Sequence, residues 1–140
     1  INTCLFTGMI SMAPGTMGSI FALIIWLFFS PSLISMIILL TLIIPLSYFT
    51  ILLELRDTSD KDPQYIVIDE AIGMWIALLA VYPDDFFSLF LAFTLFRLLD
   101  ILKPSIIYRV QSLPGASGIL LDDIIAGLIT CLIIMGIVII

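Results

Sequence analysis

The sequence predicts an integral membrane helical bundle of about four to five apolar helices, and three observations carry that prediction. The first is composition: 62% of the 140 residues are hydrophobic, 11% are charged, and the mean hydropathy is +1.30. A soluble domain has about 25% charged residues. Five bases and eleven acids cannot build a water-facing surface of this size, so lipid must cover much of it. The second is that the apolar residues fall into five runs with short polar connections. The third is that the bases sit on alternate connections. The length suits one domain, residues 1–140.

The first run covers residues 17–29, between APGT and SPS. A full span needs about 20 residues, so this run either extends back toward Phe6 or re-enters the bilayer. The second, residues 33–55, is long enough to cross, and Pro45 inside it predicts a kink. The third, residues 65–82, carries two adjacent carboxylates in IVIDEAIGMW. The fourth, residues 86–102, stops before Pro104, and the preceding Asp84 and Asp85 suit an N-cap and a first-turn acid. The fifth is residues 119–140. The chain starts at Ile1 with no initiator Met, which leaves a signal peptide unaddressed.

The connection after the second run holds Arg56 and Lys61, and the one after the fourth holds Lys103 and Arg109. The connections SPS and PDD hold no base. Positive charge marks the cytoplasmic side. If the runs alternate across the bilayer, both basic connections fall on that side. Polar clusters at residues 13–19, 57–70, 97–103 and 115–123 then converge on the cytoplasmic face. The stretch RDTSDKD, residues 56–62, reads as a solvated loop, with Asp62 suited to cap the third helix.

The net charge of −6 argues against a polyanion such as nucleic acid and suits a site that collects cations. The absence of histidine excludes histidine metal sites, phosphohistidine intermediates and Ser-His-Asp chemistry within this chain. Cys4 and Cys131 form no CxxC pair and read as small buried hydrophobes.

Asp69 and Glu70 point about 100° apart on a helix, and Gly73 leaves room on the Asp69 face. With residues 65–68 expected in the helix before them, a purely capping role is the weaker reading. Arg97 and Asp100 share a face at i,i+3 and Lys103 continues it. Their bland reading is an intrahelical ion pair. Asp122 and Asp123 are expected to open the fifth helix, with Gly127 repeating the Asp69/Gly73 spacing. Thr16 is expected as the N-cap of the first helix, whose free amides, with Gly18 and Ser19, suit an anion. The stretch lacks the lysine of a Walker loop. Five acids from three helix ends cannot all stay ionised without cations. An all-oxygen site suits Mg²⁺, Mn²⁺ or Ca²⁺, and Arg97 and Lys103 beside it suit phosphate.

Four stretches carry a resemblance: APGTMGS (residues 13–19), DPQYIVIDEAIG (62–73), FRLLDILKP (96–104) and GILLDDIIAG (118–127). In this order they resemble the phosphatidylglycerophosphatase A family across nearly the whole chain. The resemblance implies an all-α fold and an Mg²⁺-dependent enzyme of the bacterial inner membrane. It implies a phospholipid substrate in the cytoplasmic leaflet, phosphatidylglycerophosphate, converted to phosphatidylglycerol and phosphate. The family's acidic positions carry over as Asp69, Glu70, Asp100, Asp122 and Asp123, and its basic ones as Arg97 and Lys103. Met74 departs from the polar residues common there and replaces no acid.

The expected roles follow. Asp69, Glu70, Asp122 and Asp123 hold Mg²⁺, which activates water for attack on phosphorus. Arg97 and Lys103 neutralise phosphoryl oxygens, with Thr16, Gly18 and Ser19 assisting, and Asp100 either ligates metal or orients Arg97. Phosphomonoesters hydrolyse exceptionally slowly unaided, which is why metal activation is expected. A cation transporter or channel is the rival reading, and it predicts ionisable groups spread through the membrane depth. A CDP-alcohol phosphotransferase would need a DGxxAR-type motif, which is absent.

Overall fold

The computed structural model describes residues 2–4, 13–57, 63 and 65–139. These form helices α1 (Pro14–Phe29), α2 (Leu33–Asp57), α3 (Ile68–Ala77), α4 (Phe86–Leu102), α5 (Ser105–Gln111) and α6 (Ala116–Ile139), with a 3₁₀ turn at Leu78–Ala80. No strand occurs among the described residues.

Two helices are long and apolar enough to cross a membrane, within α2 and α6. α2 continues through Pro45 and exposes Ile34, Ile38, Leu42, Phe49 and Leu53, side chains that water would disfavour and hydrocarbon accepts. The chain is membrane-associated, as its composition demands.

α3 is the axis of the fold. Every residue of it except Glu70 is buried, although it is only 10 residues long. Two glycines let α6 approach it. A Cβ on Gly127 would collide with the Gly73 carbonyl oxygen, and one on Gly73 would lie 2.7 Å from the Asp123 carbonyl oxygen and 2.6 Å from the Phe96 ring. α1 packs on the other side through Gly18, where a Cβ would sit 2.9 Å from Val67 Cβ. The indole N–H of Trp75 donates to the Ala22 carbonyl at 2.9 Å and ties α1 to α3.

Three expectations change here. The third apolar run is helical only from Ile68, because Val67 is non-helical at φ −136°, ψ 9° and its N–H donates to the Asn2 carbonyl at 2.8 Å. Asp69 and Glu70 therefore lie in the first turn of α3, with no helix before them. α6 starts at Ala116, so Asp122 and Asp123 lie well inside it rather than opening it. Finally, the basic connection after α4 contains the short helix α5.

The bounds of α4 match the expected residues 86–102, and Asp85 is its N-cap, accepting from the Ser88 N–H at 3.0 Å. Hydrogen bonding from Ser88 holds the Asp85 carboxyl below its ordinary range. Cys4 and Cys131 are both buried, as expected of small hydrophobes. Desolvation pushes the Cys4 thiol up to about 11, which leaves it inert. The loop and cap expectations at residues 58–62, and a start for the first helix before residue 13, lie outside the described residues.

Candidate active site

The N-terminal turns of α1 and α3, the C-terminal end of α4 and the N-terminal half of α6 meet at one end of the molecule. A cavity of about 480 Å³ lined by Trp26, Met36, Leu78, Val81, Tyr82 and Met135 marks the opposite end. The clusters separated in sequence thus converge.

α1 starts at Pro14, whose fixed φ suits the first helical position, after Ala13 in the left-handed region at φ 57°. Thr16 is therefore not the N-cap expected from the sequence. It lies within the first turn, as the third helical residue, and its hydroxyl accepts from Arg97 Nη2 at 3.2 Å. Ser19 Oγ donates to the Gly15 carbonyl at 3.0 Å and accepts from Arg97 Nη1 at 3.4 Å. Gly18 faces Val67. Gly15, not singled out from the sequence, faces the site: a Cβ there would collide with Glu70 Oε1 and lie 3.4 Å from Arg97 Nη1. Only its four-residue spacing from Ser19, on one helix face, signalled this.

On α4, Arg97 pairs with Asp100 at 2.5 Å, the expected i,i+3 ion pair. Its Nε is buried and has no hydrogen-bond partner among the described residues. Lys103 caps α4 in the left-handed region at φ 42°, ψ 64°, just before Pro104. Such a conformation costs a non-glycine residue about 1–2 kcal/mol. Lys103 Nζ donates to Asp122 Oδ2 at 2.6 Å, joining α4 to α6.

Asp69, Glu70 and Asp123 form a compact acidic group, each with one carboxylate oxygen within 4.8 Å of the others. Asp69 is 7% exposed and Asp123 is 3% exposed. Asp69 Oδ1, Glu70 Oε2 and Asp123 Oδ1 are buried without a hydrogen-bond partner among the described residues. The α3 dipole favours first-turn acids, yet it leaves these oxygens unsatisfied. Buried carboxylate oxygens without partners are costly. Three acids grouped this closely, each with such an oxygen, fit a hard cation that takes oxygen ligands. Asp100 and Asp122 each form an ion pair, whereas these three acids form none among the described residues.

The described chain is thus helical and membrane-associated, with buried carboxylates gathered at the same end as a held guanidinium and ammonium. The chain belongs to the phosphatidylglycerophosphatase A family, whose sequence model matches residues 1–138, and it is a phosphatase. It is 36% identical over 128 residues to an Escherichia coli protein named phosphatidylglycerophosphatase A, covering 89% of this chain and 73% of that one. A Haemophilus influenzae protein of the same name is 32% identical over 134 residues, covering 94% and 82%. A Bacteroides thetaiotaomicron protein carrying the name "Putative phosphatidylinositol-3-phosphatase" is 34% identical over 134 residues, covering 91% and 84%. No solved structure matches the chain.

Proposed function

We propose that this chain is an Mg²⁺-dependent phosphatidylglycerophosphatase, releasing phosphate from the lipid at the cytoplasmic face of the membrane. The observation that carries the proposal is the compact group of Asp69, Glu70 and Asp123, each with a buried carboxylate oxygen that has no hydrogen-bond partner among the described residues, at the end of the molecule that holds Arg97 and Lys103. The family relationship supports the lipid substrate. The concentration of ionisable side chains at one end favours a phosphatase over a cation path through the bilayer.

Asp69, Glu70 and Asp123 would hold Mg²⁺, which supplies charge for phosphoryl oxygens and lowers the pKa of water. The chain's own groups do the positioning. Asp100, Thr16 and Ser19 hold the Arg97 guanidinium through three hydrogen bonds to its two terminal nitrogens, so little rotamer freedom is lost when it meets a phosphoryl oxygen. Its Nε–H, without a partner among the described residues, and the second Nη2 N–H are donors left for that oxygen. Lys103, at the rim, adds a second positive charge. An anchored lipid brings its phosphate to headgroup depth, where the helix ends lie on this reading.

Phosphate release from phosphatidylglycerophosphate by purified protein, with and without Mg²⁺, is the test. Phosphatidic acid and phosphatidylinositol 3-phosphate run beside it, the latter because of the name of the Bacteroides relative. Mg²⁺-dependent release, fastest on phosphatidylglycerophosphate, is expected. Equal release in chelator would overturn the metal assignment, and a preference for either control lipid would overturn the substrate.

A further inference from the structure

We infer that Asp122 is not a cation ligand but the positioning residue of Lys103, so the five acids divide into three ligands and two holders of cationic side chains. The inference rests on the metal-dependent reading above and refines which residues belong to it.

Asp122 has both carboxylate oxygens engaged. Oδ2 accepts from Lys103 Nζ at 2.6 Å, and Oδ1 accepts from the Asp123 N–H at 3.0 Å. Its neighbour Asp123 has a buried oxygen with no partner. The converging group contains Asp69, Glu70 and Asp123, and Asp122 is outside it. Asp122 meets Lys103 while Asp123 belongs to the group with Asp69 and Glu70, a separation that the step of about 100° between adjacent helical residues allows. The sequence pair Asp-Asp therefore serves two purposes.

The other half of the argument is Lys103. Its side chain is a flexible four-carbon stem on the residue that caps α4, a place where an ammonium is ordinarily mobile. Here the backbone adopts the left-handed region at φ 42°, and the side chain, 25% exposed, is held by an Asp122 side chain that is 5% exposed. Asp100 does the same for Arg97 on the same helix. The two basic residues are thus each held by one acid, and among the described residues no acid both forms an ion pair and belongs to the group of Asp69, Glu70 and Asp123.

The test compares Asp122→Asn, Asp123→Asn and Lys103→Gln in detergent-solubilised full chain. Mn²⁺ serves as the probe, with bound metal counted by electron paramagnetic resonance, and phosphate release is measured separately. Asp122→Asn is expected to bind as much Mn²⁺ as the unaltered chain while its KM for the lipid rises roughly 10- to 100-fold, the range for partners that orient a functional group. Asp123→Asn is expected to lose Mn²⁺. The double variant Asp122→Asn/Lys103→Gln is expected to be no worse than Lys103→Gln alone, because the two act as one unit. Asp122→Glu, which keeps the charge, is expected to recover most of the KM.

Loss of Mn²⁺ from Asp122→Asn to the same extent as from Asp123→Asn overturns the inference. Effects of Asp122→Asn and Lys103→Gln that multiply also overturn it. If Asp122→Asn misfolds, Asp122→Glu carries the same metal comparison. A purely structural ion pair would lower the unfolding temperature and leave KM unchanged, which also overturns it. Failure of the unaltered chain to bind Mn²⁺ would strike the metal assignment itself, and the kinetic cycle still decides the Asp122–Lys103 unit.

Discussion

A methyl group at position 15 would occupy the space of Glu70 Oε1 and press on Arg97 Nη1. Gly15 thus keeps α1 close enough to α3 for the Glu70 carboxylate and the guanidinium to share one site. Gly15→Ala is expected to lower kcat/KM by up to about 100-fold, the effect of a misplacement near 1 Å. Helix content is expected to stay unchanged, since alanine is the better helix former. Unaltered kinetics would show that Glu70 relaxes freely. At Asp69 the removed group would be a ligand itself. Asp69→Asn keeps the shape and is expected to reduce phosphate release by at least about 100-fold, at or beyond the cost of losing a supporting partner. Near-normal activity at saturating Mg²⁺ would sink the ligand role.

Helix packing explains both what was legible in the sequence and what was not. α4 was readable to the residue because its ends carry local signals, a capping acid at Asp85 and a stop at Pro104. α2 was readable because length and hydropathy suffice. The start of α3 was not readable, since it depends on the Asn2 carbonyl meeting the Val67 N–H from 65 residues away. The start of α6 was hidden because Gly115 to Gly118 read as loop. Gly118 is instead helical, where a Cβ would collide with the Leu113 carbonyl oxygen and lie 2.7 Å from that of Gln111. The site was legible as residue types, motif order and the local Arg97–Asp100 pair, but the Lys103–Asp122 pair and the grouping of Asp123 with Asp69 and Glu70 were not. That partition depends on which helix faces meet, and Gly73 and Gly127 decide it. Gly127→Val forces α3 and α6 apart and is expected to destabilise by about 1–3 kcal/mol, as overpacking does. A lower unfolding temperature in detergent checks this, and an unchanged one would mean the close approach is not required.

At the scale of the whole molecule, two ends of opposite character imply an orientation. Exposed Phe28, Phe29, Tyr82, Phe86, Phe87 and Phe90 belong to the elements around the cavity end, where an aromatic belt would meet the membrane interface. Arg56, Lys103 and Arg109 belong to the site end, which the charge rule assigns to the cytoplasm. α4 joins the two: Asp84 precedes it and Ser112 follows α5, and both residues are exposed. A 17-residue helix is about 25 Å long, close to a hydrocarbon core of about 30 Å, so α4 can cross with modest local thinning of the bilayer. Cys4 and Cys131 are buried, which gives a low background for thiol labelling. A membrane-impermeant maleimide is expected to label Asp84→Cys in intact cells and Ser112→Cys only in inverted vesicles. The reverse pattern would put the carboxylates on the outer face, away from a lipid substrate in the inner leaflet. Labelling of both positions from one side would mean that α4 does not cross, and the alternation of basic and base-free connections would lose its meaning.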